Sequence, residues 1–150
     1  FNPMMPGKEN EILKCSKDNS DLCPDTKTFM DNCNKNNLKN FLFINNDCFN
    51  LFPEEKALIH DINIYFYDGG HTEEDQIKAL TYYKDCLADI FILIVDDWNH
   101  LPARIGTRKG LEETNITAHK EWQLFTRDLM NRDEQTWWNG MYLAVCEKNK

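Results

Sequence analysis

The rhythm of hydrophobic and polar positions changes near residue 41. Before it, residues rich in Asn, Lys, Asp and Pro hold one short apolar stretch, Glu11 to Cys15, and a helical pattern over Asp25 to Asn37 with Phe29, Met30 and Cys33 on one face. From there Phe41-Leu42-Phe43-Ile44 predicts a strand stopping at Asn45-Asn46-Asp47, and Pro53 to Ile59 a short helix with Pro near its start. Ile62 to Tyr67 is β-branched and aromatic and ends at Asp68-Gly69-Gly70. Thr72 is suited to cap a following helix, with Asp75 three residues on and Ile77, Leu80, Tyr83 and Leu87 along one stripe. Ile90 to Val95 is apolar at every position, the pattern of a central parallel strand with helices on both sides, and Asp96-Asp97-Trp98-Asn99 closes it. Arg104 to Glu113 predicts a weak helix interrupted by Gly106 and Gly110. Trp122 to Phe125 and Met141 to Cys146 predict final strands, joined by a polar loop ending in Trp137-Trp138-Asn139-Gly140.

Strands alternating with helices at this spacing imply an α/β fold with a mostly parallel sheet, and the missing helix between the last two strands implies an antiparallel C-terminal strand. The 150 residues suit one domain, with residues 1–40 a divergent, loop-rich N-terminal part and 41–150 the core. Hydrophobic residues at 41% and charged residues at 28% exclude a disordered chain, and the longest apolar run is too short to cross a bilayer. A net charge of −8 argues against nucleic acid as a partner, since phosphate contacts need clustered Lys and Arg. The six cysteines form no C-x-x-C pair, and Cys86 and Cys146 sit in apolar stretches as buried thiols. Without a signal segment, the expectation is a reduced, cytoplasmic protein whose native N-terminus precedes Phe1.

Ligands of open α/β sheets bind beyond the carboxyl ends of the strands, which here carry Asp47, Asp68-Gly69-Gly70-His71 and Asp96-Asp97. If the strands ending at Tyr67 and Val95 are neighbours, Asp68 converges with Asp96 and Asp97. Three carboxylates that close call for a cation, and an oxygen-only set favours Mg²⁺, Mn²⁺ or Ca²⁺. The bland alternative has each Asp capping the element after its strand. His71 is the candidate general base. Trp98, beside the acids, is expected at the pocket mouth. Arg104, Arg108 and Lys109 form a basic cluster suited to an anionic substrate or to a solvated helix face. His60, His100 and His119 are expected at the surface or in turns.

Tyr65-Phe66-Tyr67-Asp68-Gly69-Gly70-His71-Thr72-Glu73-Glu74-Asp75, followed by Phe91 to Asn99 and by Trp137-Trp138-Asn139-Gly140, resembles class I S-adenosylmethionine-dependent methyltransferases. The closest branch is that of the metal-dependent sugar O-methyltransferases, with the macrocin-type enzymes and relatives of cephalosporin hydroxylase, and the similarity runs from about Lys27 to Lys148. The resemblance implies a Rossmann-like fold, Mg²⁺ held by Asp68, Asp96 and Asp97, and methyl transfer to a hydroxyl of a small molecule or sugar. Asp47 matches the position facing the adenine end of the cofactor, Asp18 would hold its ribose, and Asp68 and Gly69 would lie beside it. Two departures stand out. Gly70 occupies a position where the family often carries an acid, and no Gly-x-Gly loop precedes Phe41, Gly7 being the only glycine there. The sheet is therefore expected to be N-terminally truncated. An additional segment, a second copy or a partner chain would then complete it. The rival expectation is a catalytically inactive, methyltransferase-like docking subunit of a larger assembly.

Overall fold

The computed structural model describes residues 12–13, 26–126 and 139–149. Asp18, Gly7 and Trp137-Trp138 lie outside the described residues. The chain divides into two compact units, Phe1–Leu58 and Ile59–Lys150.

In the first unit, β1 (Ile12–Leu13) pairs parallel with β2 (Phe43–Ile44), and α1 (Thr26–Lys35) and α2 (Pro53–Lys56) complete it. Phe29 of α1 stacks on Phe43 with ring centroids 4.6 Å apart and meets Phe41 edge-on, which ties the helix to the strand. Pro53 opens α2, where its missing N–H costs nothing, and the buried Glu55 carboxylate accepts from the Phe52 backbone N–H and from Asn46 Nδ2, each at 2.9 Å.

The second unit carries β3 (Ile62–Tyr67), α3 (Glu73–Tyr83), a 3-10 turn over Lys84–Cys86, β4 (Leu87–Asp96), α4 (Leu101–Glu113), β5 (Ile116–Leu124) and β6 (Met141–Lys148). Its strands are ordered β3-β4-β6-β5. β3 and β4 run parallel, with Tyr67 opposite Val95, and α3 is their crossover. β6 is reversed and inserts between β4 and β5, so this sheet is mostly antiparallel within a mixed α/β unit. The reversed C-terminal strand is the expected one, but its insertion makes two of the three pairings antiparallel. β5 begins at Ile116, well before Trp122, because α4 is followed by a two-residue turn in which Asn115 takes a positive φ.

α3 and α4 pack on each other and on one face of the sheet. Leu80 and Leu111 meet Phe91, Leu93, Val95, Tyr142, Ala144 and Cys146 there in one buried cluster. The expectation of helices on both faces is not met among the described residues of this unit. Strand alternation sends Ile90 and Ile92 to the opposite face beside Ile64 and Phe66, and these four are 62, 40, 62 and 52% exposed. The apolar run of β4 identifies a strand able to be buried on both faces; it does not supply the second layer. Among the described residues, no helix is long and apolar enough to cross a membrane.

Candidate metal centre

The loop after β3 and the loop after β4 leave neighbouring parallel strands at the same end, and this brings their acids together as the sequence implies. Thr72 caps α3, its hydroxyl accepting from the Asp75 backbone N–H at 3.1 Å. The loop before it is fixed from below. Buried Gln76 donates to the Gly70 carbonyl at 3.1 Å and accepts from Thr107 of α4, also at 3.1 Å. A side chain at Gly70 would place its Cβ 2.2 Å from Asp75 Oδ2, so the Asp68-Gly69-Gly70-His71 turn closes this tightly only with glycine there.

Asp97 follows β4 with φ of 57°, a left-handed conformation that Asp tolerates better than most residues, and it is 7% exposed. Its Oδ1 accepts from Asn139 Nδ2 at 2.8 Å, and its Oδ2 lies 2.5 Å from His71 Nε2. Asn139-Gly140 braces this turn through the backbone as well: Trp98 N–H donates to the Gly140 carbonyl at 3.2 Å, and Asn99 N–H to that of Asn139 at 2.6 Å. Gly140 has φ of 82°, and a Cβ there would meet the Asn99 side chain at 2.6 Å and the Leu124 carbonyl at 2.8 Å.

One ligand atom each from Asp68, His71 and Asp97 lies within 4.8 Å of the other two. Asp96, expected with them, is outside this group. It ends the file of Ile90, Ile92 and Ile94 on the open face, by strand alternation. Burial pushes its carboxyl above the usual carboxylate range, and the Asp97 and Asp68 charges add to the rise, while a backbone hydrogen bond at Asp97 and the His71 charge oppose it. Asp96 therefore feels the site without joining the ligand group.

The remaining expected residues scatter. Asp47 belongs to the first unit, where its Oδ1 accepts from the Phe49 N–H at 2.9 Å and closes a local turn. Trp98 is no pocket mouth. It is fully buried, stacked on Tyr142 at 4.2 Å between centroids, with its indole N–H donating to Gln123 at 2.9 Å. The basic cluster is largely neutralised: Arg108 forks onto both Glu121 oxygens at 2.5–2.6 Å, Lys109 pairs with Glu73, and Arg104 lies over the Phe125 ring. His60 and His119 pair with Asp61 and Glu147 at the surface.

His100 is the residue that sequence reasoning missed. As the residue before α4 it stacks on His71, with centroids 5.5 Å apart and planes 12° apart, and its Nε2 is 4.0 Å from Asp97 Oδ1. Pro102 was the available signal, since a proline in the first turn moves the helix start ahead of Arg104. Two carboxylates, the buried Asp97 and the exposed Asp68, fit a divalent cation, and the imidazole makes the donor set mixed nitrogen and oxygen.

No family model, curated protein or solved structure matches the chain.

Proposed function

We propose that this chain carries the metal- and acceptor-binding part of a divalent-metal-assisted, S-adenosylmethionine-dependent O-methyltransferase acting on a hydroxyl of a small molecule or sugar. The observation that carries the reading is the convergence of Asp68, His71 and Asp97 at the carboxyl ends of two parallel neighbours. The motif resemblance supports Asp68 and Asp97 of these, with Asp96 rather than His71 as its third ligand. A divalent cation bound there supplies Lewis acidity that lowers the pKa of an acceptor hydroxyl.

The chain's own residues do the rest. Asp97, buried and oriented by Asn139, is the fixed anchor, while exposed Asp68 and half-exposed His71 adjust to the acceptor. An imidazole beside the carboxylates takes up the hydroxyl proton, and His71 and His100 are the two that stand there. The cofactor's place is less complete. Asp47 is engaged in its own turn, and on this reading a further segment or chain supplies the rest of the cofactor site, with Gly69 beside it.

The test is calorimetric titration of MgCl₂, MnCl₂ and S-adenosylmethionine into wild type and Asp97→Ala, with circular dichroism to check folding. Binding of the cation to wild type and its loss in the folded variant is the expected result. Equal affinity in both would sink the reading.

A second reading has its own observation. Ile64, Phe66, Ile90 and Ile92 form an exposed apolar face beside the edge strand β3, and a docking subunit would use such a face. That reading expects the chain to associate in light scattering and to bind neither cation nor cofactor. A monomer that binds both refutes it.

A further inference from the structure

Mg²⁺ is a hard cation that takes oxygen ligands in near-ideal octahedral geometry, whereas imidazole suits first-row transition metals. The donor group here contains an imidazole in the position where an all-oxygen site would place a third carboxylate. His71 Nε2 and Asp97 Oδ2 are paired directly, 2.5 Å apart, and Asp68 completes the group within 4.8 Å. Adjacent donors on one ion with bonds of about 2.0–2.2 Å sit about 2.8 Å apart and opposite ones about 4.4 Å, so an ion would part His71 slightly from Asp97 and draw Asp68 in. Both of these residues are solvent-accessible, while Asp97 is pinned by Asn139. The ring of His71 is also held in orientation, stacked on His100.

We infer that the two imidazoles divide the work: His71 is a metal ligand with Asp68 and Asp97, which makes this a nitrogen-oxygen site preferring Mn²⁺ and its heavier neighbours to Mg²⁺, and His100 is the imidazole left outside the coordination sphere. The inference rests on the metal reading above and adds the class of metal. His71 and His100 differ in the distance that matters, because His100 Nε2 stays 4.0 Å from the nearer Asp97 oxygen.

The experiment uses the full chain with MnCl₂ and MgCl₂ as probes. Electron-spin-echo modulation of bound Mn²⁺ reports a directly coordinated nitrogen, and competition calorimetry gives the Mn²⁺-to-Mg²⁺ affinity ratio. Wild type is expected to show nitrogen modulation. His100→Gln is expected to keep it, and His71→Gln, which offers an oxygen in place of the ring nitrogen, to lose it. The affinity ratio should fall about tenfold or more in His71→Gln and stay near wild type in His100→Gln. Circular dichroism confirms that each variant is folded. Nitrogen modulation that persists in His71→Gln, or a ratio that variant leaves unchanged, overturns the assignment of His71 while the carboxylate site stands. Mn²⁺ binding that survives undiminished in Asp97→Ala removes the site itself, and this inference with it.

Discussion

Gly106→Ala is the perturbation that separates packing from helix propensity. An alanine in a helix interior is favoured over glycine by about 1 kcal/mol, so an exposed position would gain stability. Gly106 is buried in α4 where it faces α3. A Cβ there would stand 2.3 Å from the Glu73 carbonyl oxygen and 2.9 Å from the Glu73 Cα, both backbone atoms that cannot swing away. Ordinary contact begins at 3.4 Å, so the helices would have to part by about 1 Å. Overpacking of this kind typically costs 1–3 kcal/mol, and a backbone obstacle puts the cost at about the upper end. The net expectation is a loss of about 1–2 kcal/mol in spite of the propensity gain. Gly110 provides the control. Its added Cβ would meet a movable Leu80 Cδ1 at 3.0 Å and the Ile77 Cα at 3.3 Å, so clash and propensity nearly cancel. Urea unfolding followed by circular dichroism on both variants is the assay. A Gly106→Ala protein as stable as wild type, or a Gly110→Ala protein that loses more, would refute the reasoning.

The other predictions concern the turn that holds Asp97, the half-exposed Arg108–Glu121 pair and the buried Cys146 thiol. Asn139→Ala removes a hydrogen bond to a buried carboxylate and puts alanine at φ of 51°, so a loss of about 2–3 kcal/mol is expected in urea unfolding; under about 0.5 kcal/mol would contradict the structure. Arg108 holds the Glu121 carboxyl below its usual range, so the pair stabilises above the ordinary carboxylate value and that contribution fades as pH falls through the lowered folded value. Because both partners are partly solvated, Glu121→Gln should flatten the urea midpoint between pH 6 and acid by no more than about 1 kcal/mol. Burial pushes the Cys146 thiol up to about 11, so the folded state disfavours the thiolate and loses stability as pH rises from about 9 towards 11. The same burial predicts that Cys146 resists alkylation at pH 8 until the chain is unfolded, which peptide mapping after iodoacetamide treatment checks.

The legible parts of this chain were local or set by one neighbour. The Thr72 cap, with Asp75 as its partner, follows from residue type and spacing. So does the crossover from Ile62–Tyr67 to the next strand, and with it the meeting of Asp68 with Asp97, though not with Asp96. What stayed hidden depends on residues far along the chain. Trp98 is interior because Tyr142, on a strand 44 positions later, presents a ring to stack on. Arg108 and Lys109 look like a free basic patch until Glu121 and Glu73 are seen opposite them. Gly106 and Gly110 read as helix interruptions from propensity alone. In the structure they lie inside a 13-residue helix, at the positions where α3 comes close.

The acid pair shows how adjacency in sequence misleads. Asp96 and Asp97 read as a single two-carboxylate motif, yet Asp96 is the last residue of β4 and Asp97 turns away at a positive φ towards His71 and Asn139. The candidate centre is therefore organised less by the strand ends than by what supports the two loops. On one side the chain of hydrogen bonds runs from Thr107 through Gln76 to the Gly70 carbonyl. On the other, Asn139-Gly140 grips Asp97, Trp98 and Asn99. The first support reaches the site from α3 and α4, and the open face carrying Ile64, Phe66, Ile90 and Ile92 takes no part in either. Strand alternation continues that face through Phe66 to Asp68 and through Ile94 to Asp96, so a partner docking there would approach a grouped donor as well as Asp96.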